Sequence, residues 1–222
     1  MKISVIGTGK TGSRVVELLG SNLDQTFDEN NPPTADKLKG SDGVIIFVPG
    51  SAVPDILDAV IESGIPAAWG STGYEWPDDL SSRVSTKWVI ASNFSLGMNI
   101  IRKCIQMISK GSSVLQEPEF RIHEIHHIHK KDAPSGTALS WKDWLGKDAE
   151  VSSEREGDIK GIHELTVETG TERITLNHTA LDRALFAEGA IWAIEQLIHN
   201  KELQQGVYDF GALFDKLMEE KK

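Results

Sequence analysis

Short apolar runs alternate with amphipathic ones along the first part of the chain. Lys2–Ile6 reads as a β-strand and Thr11–Leu19 as the helix that follows it. Gln25–Phe27 predicts a short second strand. Gly43–Val48, "GVIIFV", is apolar throughout, as expected of a central strand covered on both faces. Val53–Ser63 predicts a helix ended by Gly64 and Pro66. Ala67–Trp69 and Trp88–Ala91 read as further strands, each running into a polar turn, "GSTGY" and "SNFS". Strands separated by helices imply a parallel sheet with crossover helices.

The pattern changes near Ser95. Leu96–Lys110 predicts a helix in which Ile100, Ile101, Cys104, Ile105 and Ile108 recur at helical spacing, with Gly111 as its stop. Cys104 on that face reads as a small core residue. Phe120–His127 predicts a strand and Gly136–Leu145 a helix. Ile162–Glu168 and Thr171–Ala180 form a hairpin around Thr169-Gly170, and strands joined that tightly are antiparallel. Ala184–Ile198 and Gly211–Met218 read as closing helices, and Glu219-Glu220-Lys221-Lys222 as a solvated helix end. The fold class is therefore α/β. A parallel-sheet domain spans 1–95 and a mixed-sheet α+β domain spans 96–199. The terminal stretch 200–222 can pack back on the first domain.

Composition narrows the class. A chain of 222 residues with 39% apolar and 25% charged residues is ordinary for a globular protein. No apolar run approaches a bilayer span, and the chain enters a strand at once, so neither membrane insertion nor export is expected. A single cysteine fits a reducing cytoplasm. The net charge of −10 argues against nucleic-acid binding, although a local basic pocket for a small anion stays open.

"SVIGTGKTGSR", Ser4–Arg14, carries the first chemical signal. A phosphate loop ending in Gly9-Lys10-Thr11 needs a glycine where Ser4 stands. The dinucleotide pattern G-x-G-x-x-G fits without a gap at Gly7, Gly9 and Gly12, after a strand and at the start of a helix. Gly7 permits the tight turn, Gly9 admits a pyrophosphate, and Gly12 lets helix and strand pack closely. Asp28, just beyond the second strand, is placed to hold the adenosine ribose. Its neighbour Glu29 is also acidic and no cation adjoins it in sequence, which favours NADH over NADPH by charge repulsion.

"HEIHHIHKKDAPSGTAL", His123–Leu139, holds four of the seven histidines. His123-Glu124-Ile125-His126-His127 satisfies H-E-x-x-H, but that zinc motif works only on a helix and this stretch is β-like. A polar strand edge with locally satisfied histidines is the plain alternative. An anion-binding acid/base site is the third reading. Amides at Gly136 and Thr137 would receive a carboxylate at a helix N-terminus, a histidine would exchange a proton, and a lysine would stabilise negative charge. No metal is expected.

"EIHHIHKKDAPSGTA", Glu124–Ala138, closely resembles the signature of the 4-hydroxy-tetrahydrodipicolinate reductases (dihydrodipicolinate reductases) of lysine and diaminopimelate biosynthesis. "GTGKTG", "GSTG", "NFSLGMN", "REGDIKGIH" and "DRALFAEGAIWA" match in the same order, so the resemblance covers nearly the whole chain. It implies a Rossmann-like nucleotide domain, a C-terminal substrate-binding and oligomerisation domain, and a homotetramer. The implied reaction reduces a cyclic dicarboxylate with NADH or NADPH and loss of water. By resemblance His126 is the catalytic acid/base and Lys130 a second proton donor and charge stabiliser. His127, Gly136 and Thr137 contact substrate, and Arg183 is a substrate or hinge residue. Gly7, Thr8, Gly9, Lys10, Thr11, Gly12 and Asp28 would hold the cofactor's phosphates and ribose. Gly70, Ser71, Thr72, Ser92, Asn93, Phe94 and Ser95 would line its nicotinamide side. The chain departs from the family in gaps between Asp28 and Gly43 and before Arg155, the second of which is expected to remove a strand. Glu29 replaces the family's usual basic residue, and Val48-Pro49-Gly50 replaces Thr-Arg-Pro. A related amino-acid dehydrogenase and a non-catalytic nicotinamide-binding redox sensor are the alternatives.

Overall fold

A computed structural model describes residues 1–219 of the chain. It contains two compact units, one made of Met1–Ser95 with the chain from Ala184 onward, the other of Leu96–Arg183. In chain order the first unit begins with β1 (Ile3–Ile6), α1 (Gly12–Leu19), β2 (Leu23–Phe27), α2 (Ala35–Leu38) and β3 (Gly43–Ile46). It continues with α3 (Val53–Ser63), β4 (Ala67–Trp69), α4 (Leu80–Arg83) and β5 (Lys87–Ile90). The second unit holds α5 (Leu96–Gly111), β6 (Glu119–His126), α6 (Gly136–Leu145), β7 (Glu150–Arg155), β8 (Ile162–Glu168) and β9 (Arg173–Thr179). The first unit is completed by α7 (Ala184–His199), β10 (Gly206–Asp209) and α8 (Phe210–Glu219).

The first sheet has six parallel strands in the order β10-β5-β4-β3-β1-β2. β1 and β3 are buried at every position, which is why their sequences are apolar runs without alternation. Val53, Ile56, Leu57 and Val60 of α3 pack on one face with Phe27, Val44, Ile46 and Trp69. Each such fully buried aliphatic side chain contributes about 1.5–3 kcal/mol. α7 packs against α1 and against β3, β4 and β5.

That placement corrects the expected domain boundary. The helix from Ala184 was assigned to the second domain, yet it belongs to the first unit. Its buried residues Ala187, Gly189, Ala190, Ala193, Ile194 and Leu197 are small or aliphatic enough to lie flat on a sheet. Gly189 is the tightest point, since a Cβ there would fall 1.7 Å from the Phe94 carbonyl oxygen. β10, "GVYD", is a further edge strand whose pattern is too short to stand out from its loop. The stretch from 200 lies in the first unit as far as it is described, and the predicted solvated end at Glu220, Lys221 and Lys222 falls outside the described residues.

The second unit is a four-stranded mixed sheet, order β7-β6-β8-β9, with β6–β7 parallel and the other pairs antiparallel. Its core joins Met98, Ile101 and Ile105 of α5, Trp141 and Leu145 of α6, and Ile122, Leu165 and Val167 of the sheet. Ile100 is 55% exposed, so the core face of α5 runs through Met98 and Ile101 instead, and Cys104 is half-buried. The segment before Arg155 forms β7. Its residues, "EVSSER", are too polar to signal a strand alone; they pair because β6 offers a free edge.

Gly189→Ala is expected to destabilise the protein by about 1–3 kcal/mol, the usual cost of overpacking. Thermal melting checks this, and an unchanged melting temperature would show that α7 can back away from Phe94.

Candidate active site

Alternation along β6 puts Ile122, Glu124 and His126 on one face of the sheet, the face that carries the core. The face is apolar at Ile122 and becomes polar toward the strand's end. Glu124 has no exposed surface, and His126 and His163 are 7% and 4% exposed. His163 reaches the cluster because β8 pairs it directly with Glu124, and Arg155 because β7 pairs it with His126.

Glu124 is the hub. Its Oε1 accepts from the Ser135 amide at 2.8 Å and from Arg155 Nη2 at 3.2 Å. Its Oε2 lies 3.2 Å from His126 Nδ1 and 3.6 Å from His163 Nε2. The two imidazoles meet edge to face at 5.0 Å, and His163 also lies 3.3 Å from Ser135 Oγ. Beside His126 Nε2 stands Gly161, where a Cβ would come within 3.0 Å.

The helix start expected to receive an anion is adjacent. Ser135 caps α6 by accepting from the Ala138 amide at 3.2 Å; of the next residues Gly136 is exposed, its amide turned toward the Asp132 carboxylate, and Thr137 is half-buried. The Ala133–Pro134 bond before it is cis. The Lys130 amide donates to the His127 carbonyl at 3.0 Å, and Lys130 Nζ pairs with Asp132 at 2.8 Å. Arg155 ties this turn down by donating to the carbonyls of Lys130 and Asp132. His127 is half-buried at the strand's end, and the charges of His127 and Arg183 both reach Asp158. The structure thus gathers His126, His127, Lys130, Gly136 and Thr137 around one strand end and the helix start that follows it. Sequence reasoning named no role for Glu124, Arg155, Gly161 or His163. All four sat inside the matching stretches, but their role depends on cross-strand register.

Protonation follows from burial and charge. Burial pushes His126 below the ordinary histidine range; Glu124 opposes this, and Lys130 and Arg155 reinforce it. His163 is pushed down to about 4, by burial first and then by His126. Burial would raise Glu124, but Ser135, Ser153 and His126 outweigh it and its carboxyl falls below the usual range. Both imidazoles are therefore neutral near pH 7 beside an ionised carboxylate.

H-E-x-x-H does not form a metal site. It lies on a strand, and His123 turns to the opposite face, 2.8 Å from Ser152 Oγ. Donor atoms of Glu124, His126 and His163 do lie within 4.8 Å of one another, a span that could hold a small cation. The Arg155 guanidinium on the same carboxylate supplies that positive charge already.

The glycine turn lies in the first unit, between β1 and α1. Gly7 has φ +87° and a Cβ there would sit 2.3 Å from the Phe47 carbonyl oxygen; one at Gly12 would sit 1.8 Å from the Gly7 oxygen. Nothing lies within 4 Å of a Cβ at Gly9, so the backbone is bare where a pyrophosphate would approach. Thr8 and Lys10 are exposed and Thr11 half-buried around it. Phe47 also packs under Gly70, where a Cβ would be 2.1 Å from its ring, and meets Phe94 edge-on at 6.0 Å. The turns Gly70–Thr72 and Ser92–Ser95 therefore share Phe47 with the glycine turn as a common support. Asp28 is exposed and accepts from the amides of Asn30 and Asn31 at 2.8 and 3.0 Å. From α2, Lys37 Nζ donates to the side chain of Asn31, the residue whose amide reaches Asp28, at 2.9 Å and stands 5.9 Å from the Phe27 ring centre.

Residues 97–214 match the family model described as "Dihydrodipicolinate reductase, C-terminus". A 4-hydroxy-tetrahydrodipicolinate reductase of Bdellovibrio bacteriovorus is 33% identical, over 81% of this chain and 80% of its own length. One of Pelagibacter ubique is also 33% identical, over 89% of this chain and 81% of its own. The dipicolinate-bound dihydrodipicolinate reductase of Paenisporosarcina sp. TG-14 superposes with a TM-score of 0.74 at 14% identity, covering 97% of this chain and 98% of that one. Among the described residues no helix is long and apolar enough to cross a membrane.

Folded His163 takes up its proton only near pH 4, whereas the unfolded chain does so near 6.5. Its contribution to stability is intact above pH 6.5 and is lost as pH falls from there toward 4. Melting curves across that window are expected to fall less steeply for His163→Gln than for wild type. Parallel curves would show that His163 titrates normally.

Proposed function

The chain belongs to the 4-hydroxy-tetrahydrodipicolinate reductase family, and on that premise we propose which of its residues carry the reaction. The protein is a nicotinamide-dependent oxidoreductase of lysine and diaminopimelate biosynthesis. It reduces (2S,4S)-4-hydroxy-2,3,4,5-tetrahydrodipicolinate to tetrahydrodipicolinate. The substrate gains one hydride and one proton and loses one water. The bound nicotinamide cofactor supplies the hydride.

His126 exchanges the proton at Nε2, the nitrogen beside Gly161. Lys130, drawn from Asp132, balances negative charge that builds on the substrate and donates a second proton where one is needed. The amides of Gly136 and Thr137, at the positive end of α6, receive one substrate carboxylate, while His127 and Arg183 contact the rest of the molecule. The observation that carries this assignment is the convergence on one buried carboxylate. Glu124 holds both the face of His126 and the first turn of α6.

Gly7–Gly12 cradle the cofactor pyrophosphate, and the bare backbone at Gly9 fits that group. Asp28 takes the adenosine ribose, and Gly70–Thr72 with Ser92–Ser95 line the nicotinamide side. The acidic pair Asp28 and Glu29 favours NADH. Lys37 favours the second option, since it offers a cation to the 2′-phosphate of NADPH. A homotetramer in the cytoplasm is the working form that family membership supports.

Coupled turnover with the enzyme that makes the substrate, following NADH and NADPH separately, tests the reading. Wild type is expected to oxidise at least one coenzyme, with NADH the more efficient. His126→Gln and Lys130→Ala are expected to lose about 10²- to 10⁴-fold in kcat/KM, the usual span for a proton-transfer group. Full turnover by both variants would remove the residue assignment and leave the family standing. Lys37→Ala is expected to lower NADPH efficiency several-fold more than NADH efficiency; equal losses would exclude Lys37 from the 2′-phosphate.

A further inference from the structure

Among the described residues, buried Glu124 Oε2 and His126 Nδ1 have no well-formed hydrogen-bond partner, although Ser153 also stabilises the carboxylate and His163 Nε2 stands 3.6 Å from Oε2; the two atoms lie 3.2 Å apart. A buried polar atom left without a partner costs on the order of 1–3 kcal/mol, more when it is charged. Each supplies what the other lacks if the proton of the neutral imidazole sits on Nδ1. The carboxylate is not free to turn away, because Oε1 is held by the Ser135 amide and by Arg155. The opposite edge of the ring is different. Nε2 abuts Gly161, a residue with no side chain to cover it, where a Cβ would press to 3.0 Å.

We propose that Glu124 is a positioning residue for the reduction: it holds the His126 ring with Nδ1–H turned to the buried carboxylate and the Nε2 lone pair turned out to exchange the proton. The inference rests on His126 as the acid/base group and adds what sets its tautomer and orientation. It also gives Gly161 a purpose, since any side chain there would cover the working nitrogen.

The charged and titratable groups around the ring are Glu124 on its own strand, Lys130 and Asp132 in the following turn, Arg155 at the end of β7 and His163 on β8. Among them Glu124 is the principal group that favours the charged imidazole, and Lys130 and Arg155 oppose it. Glu124→Gln keeps the size and leaves an oxygen for Ser135 and Arg155. It presents an amide N–H to Nδ1, however, and so favours the Nε2-protonated ring. Removing the negative charge also moves the His126 titration to lower pH.

Nitrogen-15 NMR of the full chain with labelled histidine reads the tautomer without substrate, the His126 signals being those missing from His126→Gln. Wild type is expected to show the neutral ring protonated at Nδ1, and Glu124→Gln the Nε2-protonated form. In turnover, Glu124→Gln is expected to lose about 10- to 1,000-fold in kcat, as positioned acid/base groups do when misoriented, with KM for the dicarboxylate within about threefold. Its acidic pH limb is expected to shift to lower pH. A purely structural glutamate would lower the melting temperature and leave the tautomer and the limb where they were, which would overturn the proposal. Wild-type His126 protonated at Nε2 overturns it with no variant at all. Wild-type turnover tests the reductase reading separately, so the two failures are told apart.

Discussion

A carboxylate with no exposed surface sits where three strands and a helix end converge, and the second unit's chemistry is arranged around it. Burying an isolated charge costs several kcal/mol, so Glu124 is tolerable only with its partners in place. Those partners come from separate elements: the amide of Ser135, the N-cap of α6, Arg155 at the end of β7, and the rings of His126 and His163. Arg155 does double duty, neutralising the carboxylate while its other donors hold the Lys130–Asp132 turn. The edge proposed for acid/base chemistry and the edge proposed for anion binding are thus mechanically one object.

The same carboxylate explains the electrostatic state of the site. Two imidazoles packed together out of water are both driven toward neutrality. An ionised Glu124 prevents His126 from being driven as far as burial alone would take it. A neutral histidine beside a carboxylate is suited to accept and return a proton.

The first unit depends on close approach of a different kind, between backbones. Gly7, Gly12 and Gly70 are each positions where a Cβ would collide with Phe47 or with the turn itself, and Gly189 lets α7 press against Phe94. Phe47 and Phe94, in edge-to-face contact, thereby connect the glycine turn to both polar turns expected beside the nicotinamide. The glycine pattern was legible because its logic is local. Gly189 was read as part of a helix and nothing more, because its collision partner lies far away in sequence.

Periodicity and turn residues determined the element sequence: the apolar runs of β1 and β3, α3 over Val53–Ser63, α6 over Gly136–Leu145, and the β8–β9 hairpin. The density of histidines before Ser135-Gly136-Thr137 marked the candidate site, and the long motif around them marked the family. These are short-range properties of the chain. Tertiary structure alone decided that α7 belongs to the first sheet, that "EVSSER" becomes a strand, and that Glu124, Arg155 and His163 meet His126. Each depends on a partner strand, a sheet face or a register supplied by distant residues, and no window along the chain contains both halves of such a contact.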